Sequence, residues 1–514
     1  MRSRSAVGWL IGVVVAGVSV GVGELVAAFA RPIASPVIAV GDRIITLTPE
    51  SLKRQAISSS GTDDKPLLIT GILVLLALIG ALVGELALRS LRAGLVATAL
   101  VGAFGCYCAV TQADGRAGDL VPTAIGTLAA LAALVLLVRL ATGETLRRPP
   151  PADGPAPANR RVFLQGTAAT AALAAVTGFG GRAALESRFG VEQERAAVRL
   201  PGAKGGSGAV PRGADLGRSG VPWRTPNADF YRIDRALTVP QLDPHTWTLT
   251  VGGMVDKPRT LTYAQLLKRP LVERWITLNC VSNEVGGPLV SNALFRGVLL
   301  ADVLREAGVH AGSDQLLMHG ADGMTIGAPT KTVMDGRDAL LAVGMNGQPL
   351  PLTHGFPVRV IVPGLYGYVS ACKWVTSIEA TTFADQAGYW VQGGWAADPP
   401  LQIASRIDRP RSGGTASVGE PYAVAGVAWD QHVGVAEVQV QVDDGPWQKA
   451  RLGSVPEDDT WRQWVFPWTP QRSGEHRIRV RAVNADGLVQ TSTSRDVFPS
   501  GATGLHTVTV RAYV

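Results

Sequence analysis

Apolar and polar positions follow one pattern up to about residue 185 and another beyond it. The first part holds five long apolar runs: Val7–Ala30, Leu67–Leu88, Ala93–Val110, Leu120–Leu140 and the weaker Val162–Gly181. Each meets or nearly meets the roughly 20 residues that a helix needs to cross a bilayer. Arg2 and Arg4 precede the first run, and Arg89 and Arg92 separate the second and third. Arg147, Arg148, Arg160 and Arg161 separate the fourth and fifth, while the loops Arg31–Pro66 and Thr111–Asp119 are mixed in charge. The positive-inside rule then places the N-terminus in the cytoplasm and everything after Gly181 outside it. Beyond the runs, Trp247–Val251 and Pro357–Pro363 read as strands, and Thr262–Leu267 and Leu299–Ala307 as helices. From Leu401 onward the pattern turns all-β: Ala423–Trp429, Val435–Val442, Trp461–Trp468, His476–Val483 and Thr507–Val514. Turns such as Asp444-Gly445 and Asp486-Gly487 separate them, which predicts an immunoglobulin-like sandwich.

Linkers rich in proline (Pro149–Pro157) or glycine (Leu200–Pro226) set the divisions. Residues 1–148 form a four-span helical membrane domain, and 149–226 hold a linker and the fifth span. Residues 227–397 form an α+β domain, and 398–514 the sandwich. Val22-Gly-Glu-Leu25 recurs as Val83-Gly-Glu-Leu86, which puts Glu24 and Glu85 inside spans, where a carboxylate is a functional candidate. Both also lie near helix ends, where snorkelling accounts for them, and Glu85 has Arg89 one turn on. Asn159-Arg-Arg-Val-Phe-Leu-Gln165, before the fifth span, resembles a twin-arginine export signal, although paired arginines also serve as ordinary flanking charge.

The formal charge of +7 is largely this flanking arginine and makes no case for nucleic acid. Of four cysteines, Cys106 and Cys108 share the third run, and two residues apart on a helix they face different ways. Cys280 lies in Trp275-Ile-Thr-Leu-Asn-Cys280-Val-Ser-Asn-Glu-Val-Gly-Gly287, where a buried strand opens into a glycine-rich loop. That position suits a soft metal ligand or a nucleophile, and equally a small buried hydrophobe. A bridge to Cys372 would sacrifice the loop geometry.

Further motifs, in order, carry a resemblance. Cys280-Val-Ser-Asn283 with Phe295-Arg-Gly-Val298 resembles the molybdenum-binding stretch of the sulfite oxidase superfamily. Met345-Asn-Gly-Gln-Pro-Leu-Pro351, His354-Gly-Phe-Pro-Val-Arg-Val-Ile-Val-Pro-Gly364 and Ser370-Ala-Cys-Lys-Trp374 resemble that family's later segments. The last carries one extra residue. Asn227-Ala-Asp-Phe-Tyr231 looks like the segment opening its pterin pocket. Gly426-Val-Ala-Trp429 and Val438–Trp447 resemble its C-terminal dimerisation domain. The resemblance covers roughly residues 227–514. It implies a molybdenum ion bound by molybdopterin, with Cys280 as metal ligand and catalytic centre. It also implies Arg359 and Lys373 on the pterin phosphate, because a planar guanidinium and a point-charge ammonium both suit phosphate oxygens. Asn227, Tyr231, His354 and Ser370 are expected to hydrogen-bond the pterin, Asp322 to accept from its amino groups, and Asn283 to order the loop.

The chain departs from sulfite-oxidising relatives at two places. Glu284 stands where an arginine is expected, and Val343 where a tyrosine is, with Arg232 and Arg235 as the nearest substitutes. A dianion in an acidic pocket is costly, so sulfite is expected to be a poor substrate. All seven histidines follow the spans and no Cys-x-x-Cys-His occurs, so no haem is held within the bilayer. Electrons then pass to a separate partner, a protein or a quinone. The reading is a membrane-anchored extracytoplasmic oxidoreductase, homodimeric through its sandwich, that transfers oxygen atoms on a small molecule. Sulfoxide-type reduction and a non-catalytic membrane scaffold are its rivals.

Overall fold

The computed structural model describes residues 2–30, 34–49, 52, 64–112, 115–143, 160–204, 209–218 and 220–514. Pro149–Pro157, Arg147, Arg148 and parts of the Arg31–Pro66 loop lie outside the described residues. The chain divides into two compact units. One comprises residues 1–190 with Arg235–Gln241, and the other Val191–Asp234 with Leu242–Val514.

The first unit is helical: α1 (Arg2–Ala27), α2 (Pro36–Leu47), α3 (Asp64–Arg89), α4 (Leu91–Val110), α5 (Leu120–Thr142) and α6 (Arg160–Phe189). All but α2 contain stretches long and apolar enough to cross a membrane. Their outward faces carry exposed Leu82, Leu100, Leu128 and Phe179, an apolar surface that water would not tolerate at this extent. Helix α1 packs against α3, α5 and α6. The α1–α3 crossing runs through glycines: a Cβ on Gly12 would collide with the Gly80 carbonyl, and one on Gly84 with the Gly8 carbonyl. Small residues four apart let the two backbones meet, as in other membrane helix pairs. Glu85 pairs with Arg89 at 2.5 Å and accepts from Trp9 Nε1 at 3.0 Å, the local partner that its spacing suggests. Helix α2 interrupts what reads as loop. Ser35 accepts from Ile38 N as its N-cap and Pro36 starts it, a start signal that outweighs the short apolar content.

The second unit holds four sheets among the described residues. Thr248–Gly253 lies between Arg259–Thr262 and Val375–Thr381 in a five-stranded sheet completed by Gln315–Gly320 and Thr325–Pro329. A second sheet runs Val272–Asn279, Val290–Leu299, Leu340–Met345, Gln348–Pro349, with Arg359–Ile361 also paired to Leu340–Met345. It carries the candidate site. The predicted helices appear as Tyr263–Leu267, capped by Thr262 with Gln265 in a capping box, and Leu300–Ala307. The C-terminal part is all-β: a four-stranded sheet built on Tyr422–Trp429 and a five-stranded one built on Gly474–Asn484. Val424, Trp464 and Phe466 of the first and Val440, Val480 and Val510 of the second share one core.

Candidate active site

Cys280 follows directly on the Val272–Asn279 strand, which is buried over most of its length. Its amide donates to Leu289 O at 3.0 Å, and its carbonyl accepts from Asn283 N at 3.0 Å. Asn283 is buried, and its Oδ1 accepts from Leu289 N at 2.8 Å. Asn283 therefore clamps the loop across its neck. All four cysteines are free, so Cys280 and Cys372 do not bridge. Burial pushes the Cys280 thiol above its ordinary range, partly offset by hydrogen bonding from Ser282. A thiolate there needs a cationic partner.

The Asn227–Tyr231 segment lies against the later motifs. Asn227 Oδ1 accepts from Asn346 Nδ2 at 2.8 Å, and its carbonyl accepts from His354 Nε2 at 3.0 Å. Asn346 adopts a left-handed φ of 51°, which asparagine tolerates better than most residues. Tyr231 N donates to Ser291 Oγ at 3.1 Å, and its ring stacks on Phe230 at 5.6 Å. Its phenol is pushed up by burial first and by Cys280 second, with Arg359 opposing. Tyr231 thus stands within electrostatic reach of both the thiol and the guanidinium.

Arg359 is 5% exposed. Its Nη1 donates to His354 O at 3.2 Å, its guanidinium lies 6.0 Å over the Phe295 ring, and its buried Nε has no partner among the described residues. Burial lowers its pKa to about 10. Lys373 Nζ donates to Asp234 Oδ2 at 2.5 Å, and Arg232 Nε donates to the same oxygen at 2.8 Å. Burial holds the Lys373 ammonium down at about 8, against the pull of Asp234. His354 is held at about 4 by burial and then by Arg359, so its imidazole is neutral at physiological pH. Ser370 is fully buried and its hydroxyl donates to Leu365 O at 3.3 Å, which leaves it an acceptor role toward a ligand. Asp322 sits in the turn after Gln315–Gly320, where its Oδ1 accepts from Met324 N at 3.1 Å. The Cys372 thiol, next to Lys373, is pushed up by burial first and by the Asp322 charge second.

Three residues near these groups have no motif to announce them. Asp234 follows Tyr231 inside a run of charges that reads as solvated surface. Gly367 passes so close that a Cβ on it would lie 3.4 Å from Tyr231 Oη and 3.8 Å from Asn279 O. Tyr366, pushed up to about 12 by burial, also responds to Cys280. It packs with Val281, Tyr368 and Trp395. An aromatic-glycine pair, Tyr366-Gly367, is the available signal. Of the positions that depart from sulfite-oxidising relatives, Glu284 is exposed and Val343 is packed in the larger core with Val358 and Val360. Arg235 donates to Asp42 at 2.6 Å within the helical unit, so it does not supply the substitute cation.

One family model falls on part of this region. Residues 236–390 match the family model described as oxidoreductase molybdopterin binding domain. Mitochondrial sulfite oxidase of Mus musculus is 32% identical over 317 residues, covering 52% of this chain and 57% of that protein. The chain therefore spans little more than half the length of that relative. Sulfite oxidase of Gallus gallus is 30% identical over 52% of this chain and 68% of its own length. The oxidoreductase YuiH of Bacillus subtilis is 30% identical over 37% of this chain and 87% of its own. Among solved structures, the sulfane dehydrogenase SoxCD of Paracoccus pantotrophus matches 57% of this chain and 84% of that one, at 22% identity and a TM-score of 0.48. The residues present fit the group that the family model names. A soft sulfur suits molybdenum, a buried guanidinium with an unpartnered Nε and an ammonium suit a phosphate, and a neutral imidazole suits a pterin edge.

Proposed function

The chain belongs to the sulfite oxidase superfamily, and from that premise we propose that it is a membrane-anchored oxidoreductase transferring oxygen atoms on a small molecule. Its cofactor is molybdenum held by molybdopterin, which when bound supplies two-electron oxygen-atom chemistry. The observation that carries the reading is the meeting of separate motifs: Gly367 closely approaches Tyr231 Oη and the carbonyl of Asn279, next to Cys280, while Arg359 Nη1 donates to His354 O and His354 Nε2 to Asn227 O. Cys280 is the metal ligand. Arg359 and Lys373 hold the phosphate, and His354 with Asn227 fixes the pterin edge. Tyr231 and Tyr366 border the thiol. Asn283 keeps the loop shut behind it. The four-part division at residues 148, 226 and 397 belongs to this reading, with residues 398–514 as an immunoglobulin-like dimerisation domain. The catalytic domain lies outside the cell membrane, and electrons pass to a separate partner.

The substrate is neutral or weakly charged. Neither departing position supplies a cation or a hydroxyl, since Glu284 is an exposed carboxylate and Val343 a core side chain, while Arg235 is paired with Asp42 and Arg232 with Asp234. An unbalanced charge in such a site costs several kcal/mol, roughly a thousandfold in binding. The aromatic wall of Tyr366, Tyr368 and Trp395 beside Val281 favours sulfoxide-type reduction as the second reading. The test is metal and pterin analysis of purified protein, followed by substrate screening with artificial electron donors and acceptors. Protein without molybdenum supports the scaffold. Efficient sulfite oxidation at micromolar substrate overturns the charge argument.

A further inference from the structure

The helical unit contains a cavity of about 160 Å³, close to the size that holds one six-membered ring (an engineered cavity of roughly 150 Å³ takes up benzene). Asp42, Arg43 and Thr46 of α2 form one side, and Thr111 and Gln112 just beyond α4 form another, with Cys108 and Arg235 completing it. Successive spans alternate in direction, so the C-terminal ends of α1 and α4 share one face of the bundle. Helix α2 is held at that face, because Ser35 Oγ donates to Glu24 Oε1, near the end of α1, at 2.5 Å. The cavity is therefore at the depth where the apolar spans end.

Its chemistry selects against ions. Arg235 Nη2 is paired with Asp42 at 2.6 Å, and Arg43 Nη2 donates to Tyr107 Oη at 3.0 Å with its guanidinium 5.4 Å from that ring. An anionic headgroup would meet the Asp42 carboxylate, and a cation would meet two guanidinium groups. What remains suits a neutral ring with carbonyl oxygens. Arg43 carries a buried Nε–H without a partner among the described residues. Thr46 and Thr111 donate to their own helix carbonyls at 2.9 and 2.8 Å. The Cys108 side chain is fully buried.

We propose that this cavity binds the ring of a lipid-soluble quinone. The proposal rests on the oxidoreductase reading above and assigns its electron partner. Oxygen insertion from water into a substrate releases two electrons and two protons. A quinone that takes up both pairs leaves as a hydroquinone, its two carbonyl oxygens becoming hydroxyls. Asp42, beside the ring, is the group able to relay those protons.

The test uses full-length, molybdenum-loaded protein in phosphatidylcholine nanodiscs, titrated with a short-tailed ubiquinone analogue. Saturable binding is expected, weakened roughly tenfold or more by Arg43→Leu, which removes the donor, and by Thr46→Phe, which fills the space. Melting curves establish that each variant is folded, and two variants on α2 guard against the failure of one. Absence of saturable binding, or unchanged affinity in the folded variants, overturns the proposal. So does displacement of the quinone by phosphatidylglycerol, which would make the occupant a lipid headgroup. Molybdenum content and dye-linked turnover are measured on the same preparation. Their loss with quinone binding intact would sink the enzyme reading and leave this site standing.

Discussion

At the scale of single residues, Cys280, Arg359 and Lys373 bring a soft sulfur and two cations to the candidate site. In the sequence they stand out because they fall within ordered motifs. Asp234 was not legible. It lies between Arg232 and Arg235 in sequence, and only the fold shows its carboxylate accepting from Lys373 and Arg232. Replacing Cys280 by serine swaps a soft donor for a hard one. Turnover should fall roughly a hundredfold or more, while pterin stays bound through Arg359, Lys373 and His354. Metal analysis with pterin fluorescence checks both halves, and normal turnover would refute the ligand assignment. His354 sets a pH dependence. Its folded-state pKa of about 4 lies below the ordinary 6.5, so above pH 6.5 the imidazole is neutral in both states and contributes no slope. As pH falls below 6.5 only the unfolded imidazole takes a proton, and stability is lost until about pH 4. Between pH 7 and 5 that amounts to about 2 kcal/mol. His354→Gln should flatten this acid limb in unfolding midpoints, leaving the similar contribution of His506, also held at about 4. An unchanged limb would mean that His354 titrates normally.

Among elements, the C-terminal strands were legible from their apolar content and bounding turns, and Val435–Val442 from its alternation as well. Val435–Val442 appears with the predicted bounds, and Tyr422–Trp429 and Arg462–Trp468 fall within a residue of theirs. Val290–Leu299 escaped, because it is buried on both faces for nearly its whole length and shows no period of two. The same holds for Leu340–Met345, buried throughout. The spans were plain from hydropathy, but their mutual packing was not, since glycine contributes nothing to an apolar count. Gly12→Val should force α1 off the Gly80 carbonyl and lower the melting temperature of the detergent-solubilised protein by several degrees. Gly71→Val, on the same helix pair but with open space around it, should leave the melt unchanged. Equal effects of the two would remove the glycine seam from the account.

On the scale of the whole molecule, cofactor chemistry and topology constrain one another. On the proposed topology, a domain that receives its cofactor in the cytoplasm has to cross the membrane folded, and Arg160-Arg161 at the start of α6 is the segment we propose to direct this. Replacing both arginines by lysine should leave the first four spans inserted and strand the catalytic domain inside. Protease protection reads the outcome, and a domain still digestible from outside would dismiss the signal. The strand that leads to Cys280 also depends on residues far down the chain. Thr277 N donates to Asp459 O at 2.9 Å, Thr277 Oγ1 accepts from Trp461 N at 2.7 Å, and Gln431 Nε2 donates to Thr277 O at 3.1 Å. Trp275 packs with Trp223, Trp429 and Trp461. Residues 431–461 thus act as a template for the strand that leads to Cys280 rather than as an appendage. The strand is complete only once those later residues have folded onto it, so the thiol is seated after they are in place. A chain ending at Ala397 should consequently emerge without molybdenum or pterin, instead of as a working monomer.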